Sequence, residues 1–198
     1  MPGGRPRAFD ADEVLDAAIE VFWRYGYQGA SLQELTAAMG INKASLYAAF
    51  GSKQDLFHRA VARYAETDMA YALRALNEPT ARDVVRALLR DNVEALTRLD
   101  QPPGCLSIQG GVSCGPSNAA VTRFLATSRL AGEQALADRL ARAVREGDIS
   151  SAADPAALAR FVMTFTEGQA VHAAAGVPRN QLRQSADIAL AVFDHVIR

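Results

Sequence analysis

Lysine, cysteine, histidine and tryptophan are all scarce in this chain of 198 residues, and each scarcity excludes something. Its two cysteines, Cys105 and Cys114, make no disulfide framework, and their spacing matches no zinc-ligand motif, so no metal is expected. The histidines, His58, His172 and His195, have no evident partners in sequence. There is also no nucleophile elbow, no phosphate-cradling glycine loop and no carboxylate pair at metal-binding spacing, so neither an enzyme nor a cofactor is expected. No run of about 18 uncharged apolar residues occurs, and the opening MPGGRPRAFDADE has no hydrophobic stretch of the secretory type. The expectation is a cytoplasmic protein without a membrane span. Charge of one sign is missing too: 21 basic and 22 acidic side chains leave a net charge of -1, so a nucleic-acid role must rest on a local patch.

What is present is a 49% hydrophobic, 22% charged composition rich in Ala, Leu, Arg and Glu, which suits a folded globular chain. Apolar residues recur at helical spacing almost throughout, and no strand pattern competes, so the fold class is all-α, with about nine helices. The first helix starts at Asp10, with Glu13 at capping-box spacing, and stops at Gly26. A second follows Ser31, again with a glutamate, Glu34, three positions on, and ends at Gly40. Asn42 caps a third that runs into Gly51-Ser52, and Ser52 with Asp55 caps a fourth reaching Leu76. Further helices are expected over 81–99, 119–145, 155–175 and 179–197, with a short irregular helix at most in the glycine-rich 105–118 segment. The division expected is an N-terminal three-helix domain over 1–52 and a C-terminal helical bundle over 53–198.

Three short capped helices with a tight Gly40-Ile41-Asn42 turn have the proportions of a helix-turn-helix, whose last helix enters the DNA major groove. The third helix has small or hydrogen-bonding outward residues: Lys43 suits guanine or phosphate, Ser45 a base or phosphate, and Ala44 a thymine methyl. Tyr47 and Lys53 are placed for phosphates, and Arg5 and Arg7 form an arm for phosphate or minor-groove contacts. Ser31, Leu32 and Asn42, at the helix starts, complete the set. A plainer reading stands beside this one, in which Tyr47 is core and the lysines are solvated surface charges. The chain is then a helical interaction protein without a DNA role.

The stretch from Val14 to Phe57, VLDAAIEVFWRYGYQGASLQELTAAMGINKASLYAAFGSKQDLF, resembles the DNA-binding domain of the TetR (tetracycline-repressor) family of bacterial transcriptional regulators. Gly26, Ser31, Gly40, Leu46-Tyr47, Phe50, Lys53 and Leu56 stand where the family has them. Ala49 departs, since the family often carries a histidine or another polar phosphate contact there. The resemblance implies a homodimer that binds a near-palindromic double-stranded operator, usually as a repressor released by a small-molecule effector. It also implies a ligand-binding and dimerisation role for 53–198, with the last two helices as the usual dimer interface.

The effector pocket is expected between the later helices, with Phe124, Phe161, Phe165 and Met163 as walls and Gln109, Glu167 and His172 as polar anchors. Each of these aromatics has an ordinary alternative as core. Gly104-Cys105-Leu106 is similar to a Gly-Cys-Leu found in several TetR regulators, some of which sense oxidants or electrophiles. A thiol at a helix start generally has a lowered pKa, so Cys105 is a candidate ligand or redox contact. The alternative is a small buried hydrophobe.

Overall fold

The computed structural model describes residues 10–112 and 114–198, so Arg5 and Arg7 lie outside the described residues. The first three helices, α1 (Ala11–Gly29), α2 (Leu32–Ala38) and α3 (Lys43–Phe50), each begin at a side-chain cap. Ser31 accepts from the Glu34 N–H at 3.1 Å while Glu34 accepts from the Ser31 N–H at 2.8 Å, closing a capping box. Asn42 accepts from the Ser45 N–H at 2.8 Å. Asp10 caps α1 through the Asp12 N–H at 2.8 Å, in place of the reciprocal arrangement expected with Glu13. Gly26 does not end α1 outright. It takes a left-handed step at φ 66°, after which helical hydrogen bonding continues to Gly29. Only glycine adopts that φ without strain.

The fourth helix expected to Leu76 is two helices, α4 (Lys53–Glu66) and α5 (Ala70–Ala75), which makes ten α-helices among the described residues instead of about nine. The break has a physical cause. Thr67 Oγ1 donates back to the Arg63 carbonyl at 2.9 Å, and Asp68 accepts from Arg98 and Gln101, which follow the 81–96 helix. After the break, Tyr71 of α5 is buried. The remaining elements are α6 (Ala81–Leu96), α7 (Leu106–Val112), a 3₁₀ turn (Pro116–Asn118), α8 (Ala119–Glu146), α9 (Pro155–Ala174) and α10 (Arg179–Val196). The 105–118 segment is thus short and irregular as expected.

One continuous core joins all of these, with Phe22, Phe57, Leu89, Leu140 and Phe193 fully enclosed. Phe22 and Phe57 meet edge to face at 5.0 Å, and burial of each ring contributes about 1.5–3 kcal/mol. That contact ties α1 to α4. The main chain of α7 lies against the same helices closely enough that a Cβ on Gly110 would stand 3.1 Å from Phe57. Elsewhere α6 packs on α10 and α8 on α9. No described helix is long and apolar enough to cross a membrane.

Candidate nucleic-acid interface and inner cavity

Leu46 and Phe50 anchor α3 in the core, and their spacing turns Lys43, Ala44, Tyr47 and Ala48 outward. Tyr47 is 41% exposed, which removes it from the core. Lys43 Nζ lies 5.9 Å from its ring centroid, so cation and phenol share one outer face. Ser45 and Leu32 are half-buried, while Ser31 and Asn42 are exposed at their capping positions.

Lys53 differs from Lys43. It is half-buried over the Tyr27 ring at 4.6 Å, and burial lowers its pKa, opposed by the nearby Cys114 thiol and the Glu34 carboxylate. This ammonium therefore sits at the seam between α2, α4 and the α7–α8 connection, where Gln28 also accepts from the Gly115 N–H at 3.1 Å. A residue that sequence reasoning missed is Arg59. Its guanidinium donates to the Ala49 carbonyl at 3.3 Å and lies 5.6 Å from the Phe50 ring. A cation thus stands beside the position where Ala49 departs from the family pattern. Its signal in sequence is faint, because Arg59 belongs to the next helix.

Behind the interface is a cavity of about 400 Å³ between α4, α6, α7, α8 and α9. Val61, Met69, Ile108, Phe124 and Met163 form apolar walls, and Asn92, Arg129 and Glu167 bring polar groups. Of the residues nominated from sequence, Cys105, Phe124, Met163 and Glu167 come together here. Gln109 packs beneath Gly104, Phe165 joins the core, and Phe161 and His172 are exposed, all outside the lining.

The Cys105 thiol corrects one expectation. It accepts from Tyr64 Oη at 3.5 Å, but its enclosure dominates and raises its pKa. Burial in apolar surroundings outweighs the start of a seven-residue helix. Burial likewise raises the Glu167 carboxyl, with Glu133 adding to the shift and Arg129 opposing it.

Asn92 links the cavity lining to a buried polar chain. Tyr71 Oη donates to Asn92 Oδ1 at 2.8 Å, Asn92 Nδ2 donates to Gln169 Oε1 at 2.8 Å, and Gln169 Nε2 donates to the Leu182 carbonyl at 3.4 Å. These bonds cross-link α5, α6, α9 and α10. Toward the interface, the Phe124 ring stacks on His58 of α4 at 4.0 Å between centroids, with 25° between planes.

Comparison with known proteins agrees with this geometry. Residues 14–60 match the model described as bacterial regulatory proteins, tetR family, and residues 81–182 match the tetracyclin repressor-like C-terminal domain. The uncharacterized HTH-type transcriptional regulator YezE of Bacillus subtilis is 32% identical over 96% of this chain and its own full length. The HTH-type transcriptional repressor ComR of Escherichia coli is 27% identical over 98% of this chain and 94% of its own. A solved structure of the TetR family regulator CifR, a cysteine mutant complexed with 26-bp double-strand operator DNA, is 40% identical. It covers 94% of this chain and 98% of that one, with a TM-score of 0.91. The chain therefore belongs to the TetR family of DNA-binding transcriptional regulators, which act as dimers and are not enzymes.

Proposed function

We propose that this regulator is a cytoplasmic repressor that grips a near-palindromic operator with the α3 helices of a homodimer and lets go when a small molecule fills the inner cavity. Residues 1–52 are the reader and 53–198 the sensor and dimerisation unit. Lys43, Ala44, Ser45 and Tyr47 face the groove, with Ser31, Leu32, Asn42 and Lys53 at its margins and Arg59 beside Ala49 as a further phosphate contact. The subunits join through α9 and α10, whose outer faces leave Phe161, Val171, Ile188, Val192 and Val196 exposed.

One observation carries the coupling. Phe124 lines the cavity and stacks on His58, and the next residue, Arg59, holds the Ala49 carbonyl of α3. An effector that prefers a displaced Phe124 lowers operator affinity by its difference in binding free energy between the two states.

The test is selection of bound duplexes from a random DNA pool, followed by titration of the selected site across a salt series. The expected result is an inverted repeat bound with steep salt dependence. Failure to enrich any sequence at low salt, with the protein folded, overturns the reading.

A further inference from the structure

Most polar side chains around the cavity already make their hydrogen bonds to protein. Asn92 serves Tyr71, Gln169 and the Thr166 carbonyl, and the Ser128 and Thr166 hydroxyls donate to main-chain carbonyls of their own helices. Arg129 and Glu167 are different. Among the described residues, Arg129 donates only from Nη1, to the Ser107 carbonyl at 3.3 Å, and Glu167 accepts no hydrogen bond. Arg129 Nε faces a Glu167 carboxylate oxygen at 3.8 Å, too far for a hydrogen bond, and the two side chains are only 32% and 37% exposed. Glu133, the other carboxylate near Glu167, is taken by Arg160 at 2.7 and 3.0 Å.

This end of the cavity therefore holds one cation and one anion, charge-matched but with unfilled hydrogen-bonding capacity on each. A charged head group entering here would satisfy one of them and leave the other uncompensated in a partly desolvated place, which is unfavourable. An uncharged head group with an acceptor and a donor on neighbouring atoms meets both, taking a bond from Arg129 and giving one to Glu167, without disturbing the balance. Resting on the reading of this cavity as the effector site, we propose that the effector is an uncharged, largely apolar molecule bearing one head group of primary-amide type. The head sits between Arg129 and Glu167, and the apolar body lies against Phe124, Met163 and Val61.

The experiment uses the full chain and the uncharged dye N-phenyl-1-naphthylamine, which brightens in apolar sites. Bound dye is displaced by four probes that share one body: 4-phenylbutanamide, 4-phenylbutanoate, 4-phenylbutylamine and butylbenzene. The amide should displace the dye at about tenfold lower concentration than each of the others. Glu167→Gln should make the carboxylate the best competitor, and Arg129→Gln should make the amine the best, with dye binding itself retained. A carboxylate or amine that wins on the unaltered protein, or an amide no better than its companions, overturns the head-group assignment while leaving the cavity as a binding site. Ala62→Trp and Met163→Trp each fill the cavity. Dye that fails to bind the unaltered protein, or binds both of these variants undiminished, overturns the cavity reading and the proposal with it.

Discussion

The first four helices and the helices after them differ in where their polar residues are placed. Helices α1, α2 and α3, together with α4, start at Asp10, Ser31, Asn42 and Ser52, each bonded to a backbone N–H two or three residues ahead. Among the later helices, α6 and α9 also start at side-chain caps, Thr80 and Asp154, whereas α5, α8 and α10 do not, and the buried polar residues Asn92, Arg139 and Gln169 all lie in this part. Arg139 alone donates to the carbonyls of Leu76, Glu78 and Pro79, pinning the turn before α6 to the C-terminal half of α8. The N-terminal helices close their starts locally, whereas the buried polar bonds of the later helices join distant parts of the chain.

Four experiments would break or sharpen this contrast. The largest effect is expected for Asn92→Leu, which strands the buried groups of Tyr71 and Gln169 and should cost about 3 kcal/mol, read as a lower urea midpoint. A loss under about 1 kcal/mol would mean that the polar chain is not what holds the sensor together. Next, replacing Lys43 and Tyr47 together by Ala should weaken operator binding by about 1–3 kcal/mol and reduce the salt slope by about 1. The same pair should shift the unfolding free energy by no more than about 0.5 kcal/mol, because both side chains lie on the outer face. An equal loss of stability would contradict the separation of reading from folding.

Smaller again is Ser52→Ala, expected to cost about 1 kcal/mol by uncapping α4, measured by thermal unfolding. The least effect comes from acid. Hydrogen bonds from Ser31 and Ser52 hold the Glu34 and Asp55 carboxyls below their ordinary pKa, so their stabilisation is complete above the ordinary carboxylate range of about 4. It is lost as pH falls through the lower folded-state values. Compared with a Glu34→Gln, Asp55→Asn variant, the unaltered protein should be the more stable at neutral pH, with the gap closing on acidification. A gap that persists at the acid end would assign it to something other than these carboxylates.

The same contrast explains what could be read in advance. Ser31, Asn42, Ser52 and the glycine stops act over a few residues, so helix starts in the reader were legible, as was the outward set on α3. The break between α4 and α5 was not, because Asp68 is held by Arg98 and Gln101, 30 and 33 positions further along the chain. Nor could helical spacing tell which aromatics wall the cavity. α9 is apolar on more than one face, so Met163 turns inward while Phe161 points to solvent. The direction of the Cys105 shift comes from its burial, which outweighs the hydrogen bond from Tyr64 and which no local motif encodes.

The walls of the cavity also differ in compliance. On the α6 and α9 side, Asn92 and Gln169 stitch four helices together, and a molecule pressing there would have to break buried hydrogen bonds. On the α4 side the lining is Val61, Ala62 and Ala65, short side chains that carry no hydrogen bond across the space. On the effector reading proposed above, filling would press on the wall that carries no such bonds, and that wall is the helix that leads, through Ser52 and Gly51, straight into α3.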